Sequence, residues 1–291
     1  MSEYEYLEIE RKGKVVTCRM SNPPTHTLVA AEMAELTHFV DSLLEDEHAR
    51  VVVFTGGGEG VFIAHYEVGE LADTAEAQTA PGADLGRAPA ADLRRAPAAD
   101  LRREPAADPG QQLHGFHRLL LRMQAAPFIT VAAINGNAAG GGLEFALGCD
   151  FRLAMDGDFR LGLPETSVGI IPGAGGTQRF VRLLGTARAL DLILHAQVMA
   201  PAEALDVGIV HRVFPAYSFE SEVRAFALDL AQRAPIALAA AKRAIYAGSE
   251  VNLEAGLAVE QRQFDRCMAS EDAATAMRSF VNGETWTWQG R

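Results

Sequence analysis

Two glutamates, each beside a cluster of glycines, are the residues whose types and spacing best suit chemistry. Glu144 follows Gly140, Gly141 and Gly142 in AAINGNAAGGGLEFALGCD, and Glu165 precedes a second cluster in GLPETSVGIIPGAGG. Glycines let a backbone approach a ligand closely, and a helix beginning at Gly141 directs unpaired N–H groups at it, the design of an oxyanion hole. Two carboxylates beside such donors divide general-acid and general-base work when apolar surroundings raise one pKa above its reference of about 4.3. Either glutamate alone is as well explained as a helix-dipole or capping partner, or as a solvated loop residue.

Other uses of the glycines are weaker. Phe145 occupies the sixth position where a dinucleotide fingerprint needs glycine, and IPGAGGTQR lacks the lysine of a phosphate loop. His114 and His117 have the spacing of a metal pair on a helix, but no third ligand is evident, so they read as surface or core polar residues and no metal is expected.

The elements that must position these residues follow from hydrophobic patterning. Two strands flank a turn at Gly13 within residues 4–20, and a helix spans 30–45. Buried strands run over 50–55 and 128–135, a helix over 141–148 and another strand over 151–154. Strands alternating with helices predict an α/β fold with functional loops at strand ends. From about Ser218 the chain is Ala-rich, with helical spacing and few strand signals.

Residues 81–110 carry a period-eight repeat (PGADLGRA, PAADLRRA, PAADLRRE) with a proline in each unit. Its five arginines balance five acids. It reads as a surface insertion, mobile or loosely helical, or else as a lid or partner contact.

At 291 residues and 48% hydrophobic, the chain is long enough for a large core. A net charge of -12 argues against nucleic acid, which is held chiefly through Lys and Arg. Three widely spaced cysteines without ligand spacing suit a reducing compartment. With no signal-peptide pattern and no long apolar run, the expectation is a soluble, cytoplasmic protein without a membrane partner.

The two glycine motifs together closely resemble the enoyl-CoA hydratase/isomerase (crotonase) family, and RVVVFTGGGEGVFIAHYEVGEL resembles that family's first active-site strand and loop. The similarity covers nearly all of the chain outside 81–110. It implies a crotonase-like spiral of ββα turns over 1–217, carrying the insertion, and a helical oligomerisation region over 218–291, assembled as a homotrimer or homohexamer. It implies an acyl-CoA thioester substrate, with coenzyme A part of that substrate and no separate cofactor.

By position, the oxyanion donors are the backbone N–H groups of Tyr66 and Gly141. Glu144 activates water, Glu165 delivers a proton, and Gly173 gives its N–H to the water. Ala64, His65, Gly140 and Phe280 complete the expected substrate contacts. The implied reaction is hydration of a 2-enoyl-CoA. The alternatives are double-bond isomerisation by Glu165 alone and a non-catalytic acyl-CoA-binding or scaffold role.

Several positions depart from the family pattern. The first oxyanion loop is Ala64-His65-Tyr66-Glu67, with two large side chains in place of small ones. These narrow the acyl pocket, meet the insertion or pack away from the substrate, and His65 could add a polar group. His26 stands where an asparagine is common, and Gly60 where a lysine is frequent. The C-terminal basic pair is replaced around Gly283 and Glu284. Arg278 or Lys242 could take over the coenzyme A phosphates, although a lone basic residue on a helix is ordinarily solvated. Trp286 and Trp288 suit adenine stacking or the capping of a subunit interface.

Overall fold

A computed structural model describes residues 3–80 and 113–291, so the repeat expectation for 81–110 lies outside the described residues. Among the described residues, ten strands form two sheets. β1 (Leu7–Lys12), β2 (Val15–Met20), β3 (Val51–Gly56), β5 (Ile129–Ile134), β7 (Phe151–Met155) and β10 (Arg212–Phe214) lie side by side in that order. All these pairs are parallel except β1 with β2. The smaller sheet runs β4 (Gly60–Ile63), β6 (Gly136–Ala139), β8 (Leu161–Gly162) and β9 (Val198–Met199), antiparallel only at β8–β9.

The chain alternates between the sheets. β3 leads to β4 and helix α2 (Val68–Thr79). β5 leads to β6 and α4 (Gly141–Gly148), and β7 leads to β8 and a 3-10 turn at Glu165–Val168. That is the expected spiral of ββα turns. The remaining helices are α1 (Ala30–Leu44), α3 (Gly115–Ala125), α5 (Gly176–Leu184), α6 (Thr186–Leu194) and α7 (Pro201–Asp206). The C-terminal stretch is α8 (Phe219–Ala231), α9 (Pro235–Ser249), α10 (Leu253–Met268) and α11 (Glu271–Asn282), as its composition predicts.

The central strands are apolar on both faces because both faces are covered. Val52, Phe54, Ala132 and Ile134 point into the main core with α1, α3 and α4, while Val51, Val53, Ile129 and Val131 meet Phe219, Val223 and Ala227 of α8. Strand side chains alternate between faces, so one short sequence serves two cores. Among the described residues, no helix is long and apolar enough to cross a membrane.

Candidate active site

The site forms where β4, β6 and β8 end. Gly140 turns the chain from β6 into α4 with φ 50°, a conformation that favours glycine. A Cβ there would lie 3.2 Å from Glu165 Oε1. Every residue of α4 is buried, so Glu144, on its first turn, is only 3% exposed.

Burial of a carboxylate needs donors, and the second glycine cluster supplies them. Ala174 N and Gly176 N each donate to Glu144 Oε1 at 2.7 Å. Gly176 opens α5, so its N–H is one that the helix cannot pair internally. Burial pushes the Glu144 pKa up, while the amides of Gly176, Ala174 and Gly173, together with the Arg179 charge, pull against it.

Glu165 is treated differently. It begins the 3-10 turn after Pro164, and its Oε2 is buried without a hydrogen-bond partner among the described residues. Burial pushes its pKa up to about 7, and the nearby Glu144 charge adds to the rise.

The first active-site loop supplies backbone. Leu28 and Tyr66 form an isolated parallel bridge in which Leu28 N donates to His65 O and Glu67 N donates to Leu28 O. Tyr66 N therefore faces away from Leu28 and has no backbone acceptor among the described residues; Gly141 N, the first amide of α4, has none either. The two positions adjoin, since a Cβ on Gly141 would sit 3.3 Å from Tyr66 N and 3.0 Å from Tyr66 Cβ. Two free amides at one end of a cleft are able to donate to an oxygen that gains charge.

A pocket of about 870 Å³ joins these parts, a size suited to an extended organic ligand. Glu144, Glu165, Gly140, Gly141 and Gly173 line it, as do His65 and Tyr66. The Tyr66 hydroxyl donates to Glu70 Oε2 at 2.8 Å, so its ring spans from the free amides to the first turn of α2. His65 is exposed and its Nδ1 pairs with Tyr66 O at 2.7 Å. Ala64 is not in the lining; its N donates to His26 O and its O accepts from Ala139 N, stitching the loop to β6.

Two further residues considered for substrate contact lie outside the pocket lining. Phe280 lies on α11, 76% exposed and outside the pocket lining within this chain. Lys242 is neither solvated nor available to phosphates: it is buried, its Nζ donates to Met123 O and Phe128 O, and it pairs with Asp150 at 2.8 Å.

Trp286 and Trp288 pack edge to face on each other, ring centroids 5.9 Å apart. His114 and His117 stack at 6.0 Å, and no metal-binding group of three side chains exists among the described residues. The residue that sequence reasoning missed is Arg179, whose Nη1 donates to Ala174 O at 3.0 Å. Its signal was its place one turn beyond the glycines of GAGGTQR.

Comparison with known proteins agrees with this fold. The family model for enoyl-CoA hydratase/isomerase matches residues 98–291. A short-chain-enoyl-CoA hydratase of Clostridium acetobutylicum is 30% identical over 96% of this chain and 95% of its own length. A 2,3-dehydroadipyl-CoA hydratase of Escherichia coli is 38% identical over 60% of this chain and 68% of its own. The crystal structure of an enoyl-CoA hydratase from Bacillus anthracis superposes with a TM-score of 0.81 at 29% identity, covering 99% of this chain and 100% of that one.

Proposed function

The chain belongs to the enoyl-CoA hydratase/isomerase family, and on that premise we propose that it adds water across the double bond of a 2-enoyl-CoA thioester. The observation that carries this reading is the unequal treatment of two carboxylates around one pocket. Glu144 is fed by amides that favour its charged form, and Glu165 is left in the apolar environment that favours its proton.

In this reading the thioester oxygen accepts the N–H groups of Tyr66 and Gly141. Each such donor contributes roughly 3 to 4 kcal/mol to stabilising the enolate. Glu144 orients a water, with the Gly173 N–H beside it, and takes a proton as the water oxygen bonds to C3. The π electrons move onto the thioester to form the enolate. Glu165 then protonates C2, and the product is a 3-hydroxyacyl-CoA. Coenzyme A enters as part of the substrate, and no other cofactor takes part.

Assembly is part of the same proposal. Ile245, Leu253, Phe264, Phe280 and Val281 leave a large apolar area exposed on the C-terminal helices. Such a patch marks an interface, here that of a homotrimer or homohexamer.

A panel of 2-enoyl-CoA thioesters differing in length and branching tests the reaction through loss of the conjugated thioester absorbance. Hydration of at least one member is expected. Binding without turnover across the panel would replace this reading with the non-catalytic one.

A further inference from the structure

Arg179 reaches back to the turn that precedes its own helix. Its Nη1 donates to Ala174 O at 3.0 Å, and its backbone N donates to Gly175 O at 2.8 Å. The seat exists because residue 175 is glycine: φ is 101°, and a Cβ there would fall 2.2 Å from Nη1. The clamped residue, Ala174, is one of the two that donate to Glu144, and the other, Gly176, lies two residues on.

We propose that Arg179 is a positioning residue for the hydration chemistry: it holds the 173–176 turn, whose amides donate to Glu144, and places its positive charge beside that turn. The inference rests on the hydratase reading and extends it to a residue that need not touch the substrate.

The charges facing this spot support the assignment. Glu144 is the strongest favourable partner of the Arg179 guanidinium, and Arg179 counters the effect of burial on Glu144. His117 of α3 lies beside the same seat, its Cδ2 3.9 Å from the Gly175 Cβ position. It supplies no competing charge, because burial, His114 and Arg179 all push its pKa down. Tyr246 and Cys149 also act on Arg179, and burial pushes both pKa values up, which keeps these groups neutral. Arg182 repels it, and Glu165, which lines the same pocket as Glu144, feels the Glu144 charge.

The test follows the Glu144 carboxyl carbon by ¹³C NMR across pH, assigned by its loss in Glu144→Gln, beside kcat and KM profiles of the same full-length proteins. In Arg179→Gln the Glu144 titration rises by about one unit or more. The acidic limb of kcat moves with it, KM changes little, and Arg179→Lys returns both toward wild type. An unchanged Glu144 titration in folded Arg179→Gln overturns the proposal, as does an Arg179→Lys protein indistinguishable from it.

Should Arg179→Gln not fold, Arg179→Met decides. It keeps an apolar stem in the seat while removing the charge and the bond to Ala174 O, and the absence of a rise in the Glu144 titration again overturns the claim. Wild-type protein inactive on every enoyl-CoA would sink the hydratase reading alone, because the NMR titration still judges Arg179.

Discussion

Glu144 and Glu165 line one pocket but differ in what they accept: Glu144 Oε1 receives two backbone amides at 2.7 Å, whereas Glu165 Oε2 is buried and receives none among the described residues. Two carboxylates with the same intrinsic chemistry thereby sit in unlike environments. The asymmetry arises from backbone, since the amides of the 173–176 turn donate to Glu144 while burial dominates at Glu165, where only its own amide pulls the other way.

The first prediction concerns pH. Proton delivery needs protonated Glu165, so kcat falls on the alkaline side as pH passes its pKa of about 7. Stability follows the same group. Its folded pKa exceeds the unfolded value, so its contribution is fully present below about pH 4.3 and is lost as pH rises through about 7. Relative to Glu165→Gln, wild type loses at most about 3.7 kcal/mol over that window, and less to the extent that solvent screens its partly exposed carboxyl. Denaturant titrations of both proteins at several pH values check this, and a pH-independent difference contradicts it.

Tyr66 combines a backbone donor with a large side chain. Burial pushes its phenol up to about 12, so it remains a hydroxyl bonded to Glu70. Tyr66→Phe keeps the amide and loses only that bond, with a stability loss of about 1 kcal/mol and kcat nearly unchanged. Tyr66→Ala widens the pocket and shifts relative kcat/KM toward bulkier acyl groups. An unaltered preference across the thioester panel shows instead that the ring lies outside the acyl space.

Lys242 ties α9 to the last turn of α3 through Met123 O, to the entry of β5 through Phe128 O, and to Asp150 just before β7. Lys242→Met strands Asp150 as a buried charge and is expected to cost about 3 to 5 kcal/mol. Adding Asp150→Asn recovers part of that loss, because the two side chains act as a pair. Thermal melts of the single and double variants measure the coupling, and strictly additive losses contradict it.

The legible features were those whose partners are near in sequence or fixed by backbone. Gly140 before a buried helix start, and Glu165 before a second glycine cluster, are short-range patterns visible in the sequence itself. Burial of Lys242 could not be read, since its acceptor at Met123 is 119 residues away and the helix around it looks amphipathic. The direction of the Tyr66 ring was equally hidden, because it depends on Glu70 being brought one turn into α2. Phe280 was placed by resemblance alone, and within one chain α11 carries it away from the pocket.

The central claim is that two carboxylates share one hydration. Turnover of the best 2-enoyl-CoA by wild type, Glu144→Gln and Glu165→Gln, with double-bond migration followed in the same samples, tests it most directly. The account predicts that each variant loses hydration by about 10² to 10⁴ in kcat. Hydration that survives Glu144→Gln, or a wild type that only moves the double bond, contradicts it.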